Sequence, residues 1–127
     1  MRVKEIKVVV RPMEEDIEEV VDALKRVERG EEFYEEKIVV ENLDVLRKIL
    51  TPERLRILQV IRSEKPKSIY ELAKLLDRDR AAVVRDLEYL QQLGLVEFEE
   101  ERRGKRRSRK PVVPYDEIEV SIPVVEG

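Results

Sequence analysis

The chain has no cysteine, no histidine and no tryptophan, and only one asparagine and three glutamines among its 127 residues. Without cysteine there is no disulfide framework and no thiolate metal site. Without histidine the commonest metal ligand and the commonest general base near neutral pH are both missing. Glycine is scarce too: the four glycines are scattered, so no glycine-rich loop can cradle a phosphate. No apolar run approaches the roughly 20 residues a membrane helix requires. The first residues, MRVKEIKVVVRP, break their apolar stretch with charges and lack the core of a signal peptide. The expectation is a cytoplasmic protein with no membrane segment, no metal and no cofactor.

What the chain has in abundance is charge. Charged residues make up 43% and hydrophobic residues 42%, yet the net charge is only -3. Disorder favours low hydrophobicity with high net charge, and neither holds here. The length is that of one domain with a core of its own. Many Lys, Arg and Glu beside so few amides is the composition of a protein from a thermophile. The small net charge conceals an asymmetry. Residues 1–50 carry 10 cations and 14 anions, residues 51–110 carry 16 and 11, and residues 111–127 carry none and 4. Only the middle block suits a polyanionic partner. The carboxylates of MEEDIEE and EFEEE run along solvated faces, and nothing pairs an acid with a base in a dry pocket. The chain is therefore not expected to be an enzyme.

Periodicity organises the rest. Val3 to Val10 alternates as a strand and stops at Arg11-Pro12. Ile17, Val20, Val21, Leu24 and Val27 form one stripe at helical spacing, with acids in the first turn, bases in the last and Gly30 beyond. Lys37 to Val40 fits a short strand, and Asn42 an N-cap for a helix carrying Leu43, Leu46, Ile49 and Leu50. TPER, from Thr51, puts an N-cap before a first-turn proline. The helix that follows carries Leu55, Leu58 and Ile61 to about residue 63. Ser68 with Glu71 is a capping box for a helix whose Leu72, Leu75 and Leu76 face the core. After DRDR, Asp79 caps a helix over 80–93 with Val83, Val84, Leu87, Leu90 and Leu93 on one side and Gly94 at its end. LVEFEEER alternates as a strand. Ile118, Val120, Ile122 and Val124 alternate with Glu117, Glu119 and Ser121 as a one-sided strand.

The stretch SIYELAKLLDRDRAAVVRDLEYLQQLGLVEFE, with LTPERLRILQVIRSEKPK ahead of it, resembles the winged helix-turn-helix of small archaeal and bacterial transcriptional regulators of the MarR/ArsR-like kind. The resemblance covers about 51–116 well and the rest loosely. It implies an α+β fold: a winged helix-turn-helix core at 51–116, an N-terminal strand-helix extension at 1–50 for dimerisation or scaffolding, and a C-terminal strand at 117–127 packing on that extension. It also implies sequence-specific binding of double-stranded DNA, with the helix at 80–93 in the major groove and a basic wing at 102–110 on the backbone or in the minor groove.

The residues agree with that implication. A helix buried through Val83, Val84, Leu87 and Leu90 turns Arg80, Ala81, Ala82 and Arg85 outward near its N-terminus. The small alanines permit close approach and contact with a thymine methyl, and Arg85 suits a guanine edge. Arg78 and Arg80, at the turn, suit phosphate. Asp86 and Glu88 are awkward beside a polyanion, and Asp86 is expected to pair with a neighbouring arginine. EEERRGKRRSRKP packs seven cations into residues 102–110. Alternating apolar sequence on both sides and Gly104 in the middle make it a hairpin tip rather than a tail. There Arg102, Arg103, Lys105, Arg106 and Arg107 would meet phosphate. The flanking strands and helix carry more apolar surface than such a module needs, which suggests a homodimer presenting two recognition helices. The alternative is a winged helix serving as a protein-interaction module in a transcription, chromosome or toxin-antitoxin assembly, its wing meeting an acidic partner.

Overall fold

Two compact units divide the chain: residues 3–49 with 117–127, and residues 50–116. The structure is a computed structural model that describes residues 4–12, 21, 37–104 and 106–124. Among these residues the fold is α+β, with four helices and two small sheets. Of the helix expected around 13–30, only Val21 is described; it is helical and exposed. The rest lies outside the described residues.

The first unit holds a three-stranded sheet in the order β2-β1-β5, built from β1 (Glu5–Val10), β2 (Lys37–Val40) and β5 (Glu117–Ser121). Both pairings are parallel. Val8 stands opposite Ile38 on one side and Val120 on the other. β1 alternates as its sequence does: Ile6, Val8 and Val10 are buried, while Glu5 and Lys7 are exposed. Helix α1 (Leu43–Ile49) starts at Asn42, whose Oδ1 accepts from the Val45 amide at 2.9 Å. Leu46 is buried, but Leu43 is exposed and Ile49 only half-buried. The strand expected through Val124 ends at Ser121, and Val120, Ile122 and Val124 are exposed. Two causes are visible. β5 is an edge whose register with β1 runs out at Val9–Ser121, and Pro123 has no amide to extend a ladder.

The second unit is helix α2 (Pro52–Glu64), α3 (Ile69–Leu76), α4 (Arg80–Gln92) and a hairpin of β3 (Glu97–Arg103) and β4 (Arg106–Val112). Each helix begins at the residue its sequence marks. The Thr51 hydroxyl accepts from the Arg54 amide at 3.2 Å, Ser68 from Glu71 at 3.1 Å, and Asp79 from Ala82 at 3.3 Å. The Glu71 carboxylate reaches back to the amide of Lys67, one residue before the cap itself. Two helices end alike. Asp77 and Gly94 both take the left-handed conformation, with Arg78 N–H bonded to Ala73 O and Leu95 N–H to Leu90 O, a Schellman closure in each case.

Ile57, Leu58, Ile61, Leu72, Ala73, Leu76, Val83, Leu87 and Leu90 fill the core with Leu95, Val96 and Val113. Two expected core residues are displaced. Leu55 and Leu75 are exposed, and Ile57 and Ala73 are buried instead. Their helices have apolar residues at adjacent positions, so periodicity leaves the centre of the buried stripe free by about one residue, and packing chooses it. Val84 and Leu93 flank the stripe of α4 and are half-buried.

Candidate nucleic-acid interface

Every candidate contact residue belongs to the second unit. On α4 the cap at Asp79 fixes the first turn, and burial of Val83, Leu87 and Leu90 fixes the rotation of the helix. Arg80, Ala81 and Arg85 are then exposed, and Ala82 is half-buried. Glu88, one turn beyond Arg85, is exposed as well. An anion approaching this side meets cations and small side chains only over the first turn and a half.

Asp86 does not share that outward side. It lies at the margin of the buried stripe, where its two carboxylate oxygens are taken by two arginines. Arg54 Nε donates to Oδ1 at 3.1 Å and Arg78 Nη1 to Oδ2 at 3.1 Å. The three side chains are only 19% (Arg54), 18% (Asp86) and 27% (Arg78) exposed. The Arg54 guanidinium also lies 4.0 Å from the ring centre of Tyr89. The turn and α4, adjacent in sequence, and the more distant α2 thus converge on one carboxylate. Pairing of Asp86 is legible from its awkward position on the helix. The participation of Arg54 is not, because 32 residues separate it from its partner.

The turn also borders an open hollow of about 510 Å³, lined by Tyr70, Ala73, Lys74, Asp77, Arg78, Asp79 and Arg80. Tyr70 is 59% exposed, and the Lys74 ammonium stands 5.3 Å from its ring centre. Neither residue is singled out by sequence reasoning. An aromatic in the first turn of a helix with an apolar stripe reads as core, and only its exposure marks it out.

In the hairpin, strands β3 and β4 pair antiparallel and two residues, 104 and 105, join them. Gly104 has φ +63, the left-handed conformation that two-residue hairpins require. The register sorts the charges. Toward the base, Glu99 stands opposite Lys110 and Glu100 opposite Arg109. The Arg109 guanidinium also lies over the Phe98 ring, 4.1 Å from its centre. Toward the tip, Arg102 stands opposite Arg107 and Arg103 opposite Arg106. Arg102 and Arg107 are exposed. Lys105 lies outside the described residues. Like charges directly across an antiparallel pair destabilise it, whereas opposite charges stabilise it by roughly 0.2–1 kcal/mol.

The base is tied to the helices. Arg62 of α2 bonds Asp116 and donates to Val113 O at 3.4 Å. Pro111, opposite Phe98, is buried. A small hollow of about 170 Å³ lies between the end of α2 and the hairpin base, lined by Ile61, Arg62, Lys65, Glu99 and 110–113.

Among the described residues no cluster of carboxylates could hold a metal ion, and no helix is long and apolar enough to cross a membrane. A family model, HVO_A0114, matches residues 49–120. That is more than half of the chain, which therefore belongs to the HVO_A0114 family. The matched stretch spans the second unit and enters β5. The curated proteins include no match to the chain.

Proposed function

We propose that this member of the HVO_A0114 family binds double-stranded DNA through a winged helix-turn-helix and acts as a transcriptional regulator. In this reading α3 and α4 are the helix-turn-helix, and the first turns of α4 enter the major groove. There Arg85 and Arg80 are the cations, and Ala81 and Ala82 allow close approach. The β3–β4 hairpin is the wing. Its tip, Arg102, Arg103, Lys105, Arg106 and Arg107, neutralises phosphates and supplies affinity, while α4 supplies specificity. No chemical step is assigned to the protein.

The observation that carries the reading is the register of the hairpin. Arginines stand opposite arginines at its tip, while each basic residue of its base faces a glutamate. A hairpin selected only to fold would alternate sign across its whole length. Two like-charged rungs at the tip are stabilised once a polyanion lies against them. Exposure of Arg80, Ala81 and Arg85 beside a sharply defined buried stripe adds support. An acidic protein partner is the rival occupant of the tip, and salt distinguishes the two. A homodimer belongs to the same proposal: both β2 and β5 are edges of their sheet, and two copies would offer two recognition helices to a symmetric site. A monomeric mass in solution would remove that part.

The test is duplex binding across a salt series. With about five phosphates neutralised, the log–log slope of affinity against salt is expected near roughly -4 to -5. Failure to bind any duplex at low salt sinks the reading.

A further inference from the structure

We infer that Asp86 withholds Arg78 from the phosphate backbone, and by doing so sets how strongly the protein discriminates its site from other DNA. The inference rests on the DNA-binding reading above, but its support is separate: the geometry of one carboxylate and two guanidiniums.

Arg78 sits between α3 and α4, beside Arg80, where a helix-turn-helix meets the sugar-phosphate chain. By position alone it is a phosphate ligand. Its guanidinium, however, donates to Asp86 Oδ2 at 3.1 Å and is only 27% exposed. Arg80, two residues on, is exposed. Arg54 occupies the second oxygen of Asp86 and is itself fixed against Tyr89. The result is a rigid bracket. Tyr89 lies three residues beyond Asp86, one turn along α4, so the bracket seizes the helix at two points and the turn at one. Ion pairs this shielded attract more strongly than exposed ones. Handing Arg78 to a phosphate would leave a shielded carboxylate with half of its partners, a loss a solvated arginine does not incur.

The consequence concerns specificity. Non-specific binding is almost wholly the neutralisation of phosphates, and each cation engaged adds about 0.9 to the salt slope. A cation at the turn touches backbone in any sequence, so it strengthens binding everywhere and discriminates nothing. Tying it to Asp86 removes that contribution from non-specific complexes and leaves Arg85 and its neighbours to decide the outcome. Asp86 is therefore a positioning residue that acts through Arg78 and touches no DNA.

The experiment is a double-mutant cycle of Asp86→Asn and Arg78→Ala, read as the salt slope and affinity of the full chain on a random-sequence duplex. Circular dichroism melts verify folding. Glu88→Gln serves as the comparison, since it removes an equal charge from α4 and, among the described residues, no arginine is bonded to it. Arg78→Ala alone is expected to leave the slope within about 0.3 of wild type, a third of one phosphate contact. Asp86→Asn is expected to steepen it by about 0.9, and adding Arg78→Ala to Asp86→Asn to cancel that gain. The effect of Glu88→Gln is expected to be the same with or without Arg78. If Arg78→Ala alone makes the slope shallower by about 0.9, Arg78 already holds a phosphate and the inference is overturned, while the DNA-binding reading stands. If Asp86→Asn unfolds the chain, the single Arg78→Ala measurement still decides. No duplex binding by the wild type overturns both.

Discussion

The base and the tip of the hairpin belong to one ladder of two seven-residue strands, yet they treat charge in opposite ways. At the base each cation has a counter-charge or a ring within the fold: Lys110 faces Glu99, and Arg109 faces Glu100 and covers Phe98. At the tip Arg102 faces Arg107 and Arg103 faces Arg106. The same division recurs on the helices. Arg54 and Arg78 are held by Asp86, whereas Arg80 and Arg85 are exposed. A count of basic residues treats all of these alike. What distinguishes them is whether the fold already supplies the anion. Cations held by Asp86 or set opposite a glutamate serve the module, and in the DNA-binding reading those set opposite one another are left for an external polyanion.

Four variants would break or sharpen that contrast. The largest effect belongs to Leu87→Ala. The side chain is fully buried beneath α4, so its loss should cost about 3 kcal/mol of stability, read as a lowered midpoint in thermal or urea unfolding. The protein that remains folded should keep its salt slope, which separates the frame from the charges it carries. Next is the tip. Arg102→Ala with Arg107→Ala should make the slope of duplex binding shallower by about 1.8. It should also raise stability by roughly 0.2–1 kcal/mol, because a like-charged rung is removed. Arg109→Ala, at the base, should leave the slope unchanged. A tip pair that behaves as Arg109 does would erase the contrast. The smallest effect is that of Lys65→Gly. Lys65 ends α2 at φ 50, a conformation that disfavours side chains by about 1–2 kcal/mol and that glycine adopts freely. Set against glycine's greater chain entropy when unfolded, the gain should be about 0.5 kcal/mol. The melting temperature should rise slightly, and the slope should not change although a cation is lost.

Much of the second unit is legible in its residues. Thr51, Ser68 and Asp79 cap their helices as their side chains dictate, because an N-cap needs only an oxygen within reach of amides two or three residues on. Gly104 marks the hairpin turn for an equally local reason. Burial is less legible. Leu55 and Leu75 are at least as apolar as the residues that replace them inside, and the choice between positions two residues apart belongs to the neighbouring helix. In the first unit the alternation of β1 announces one buried face. Its place between β2 and β5, with both neighbours parallel, has no local signal, since the strands it joins are separated by most of the chain.

By itself the sequence determined where helices begin, where the hairpin turns, which side of α4 is apolar and that the middle of the chain is basic. Each of these follows from interactions within a few residues or from composition. Only the tertiary structure decided which cations are already spoken for. That depends on register and on contacts such as Arg54 to Asp86, 32 residues apart, and a pairing over that distance is set by packing of the helices between them.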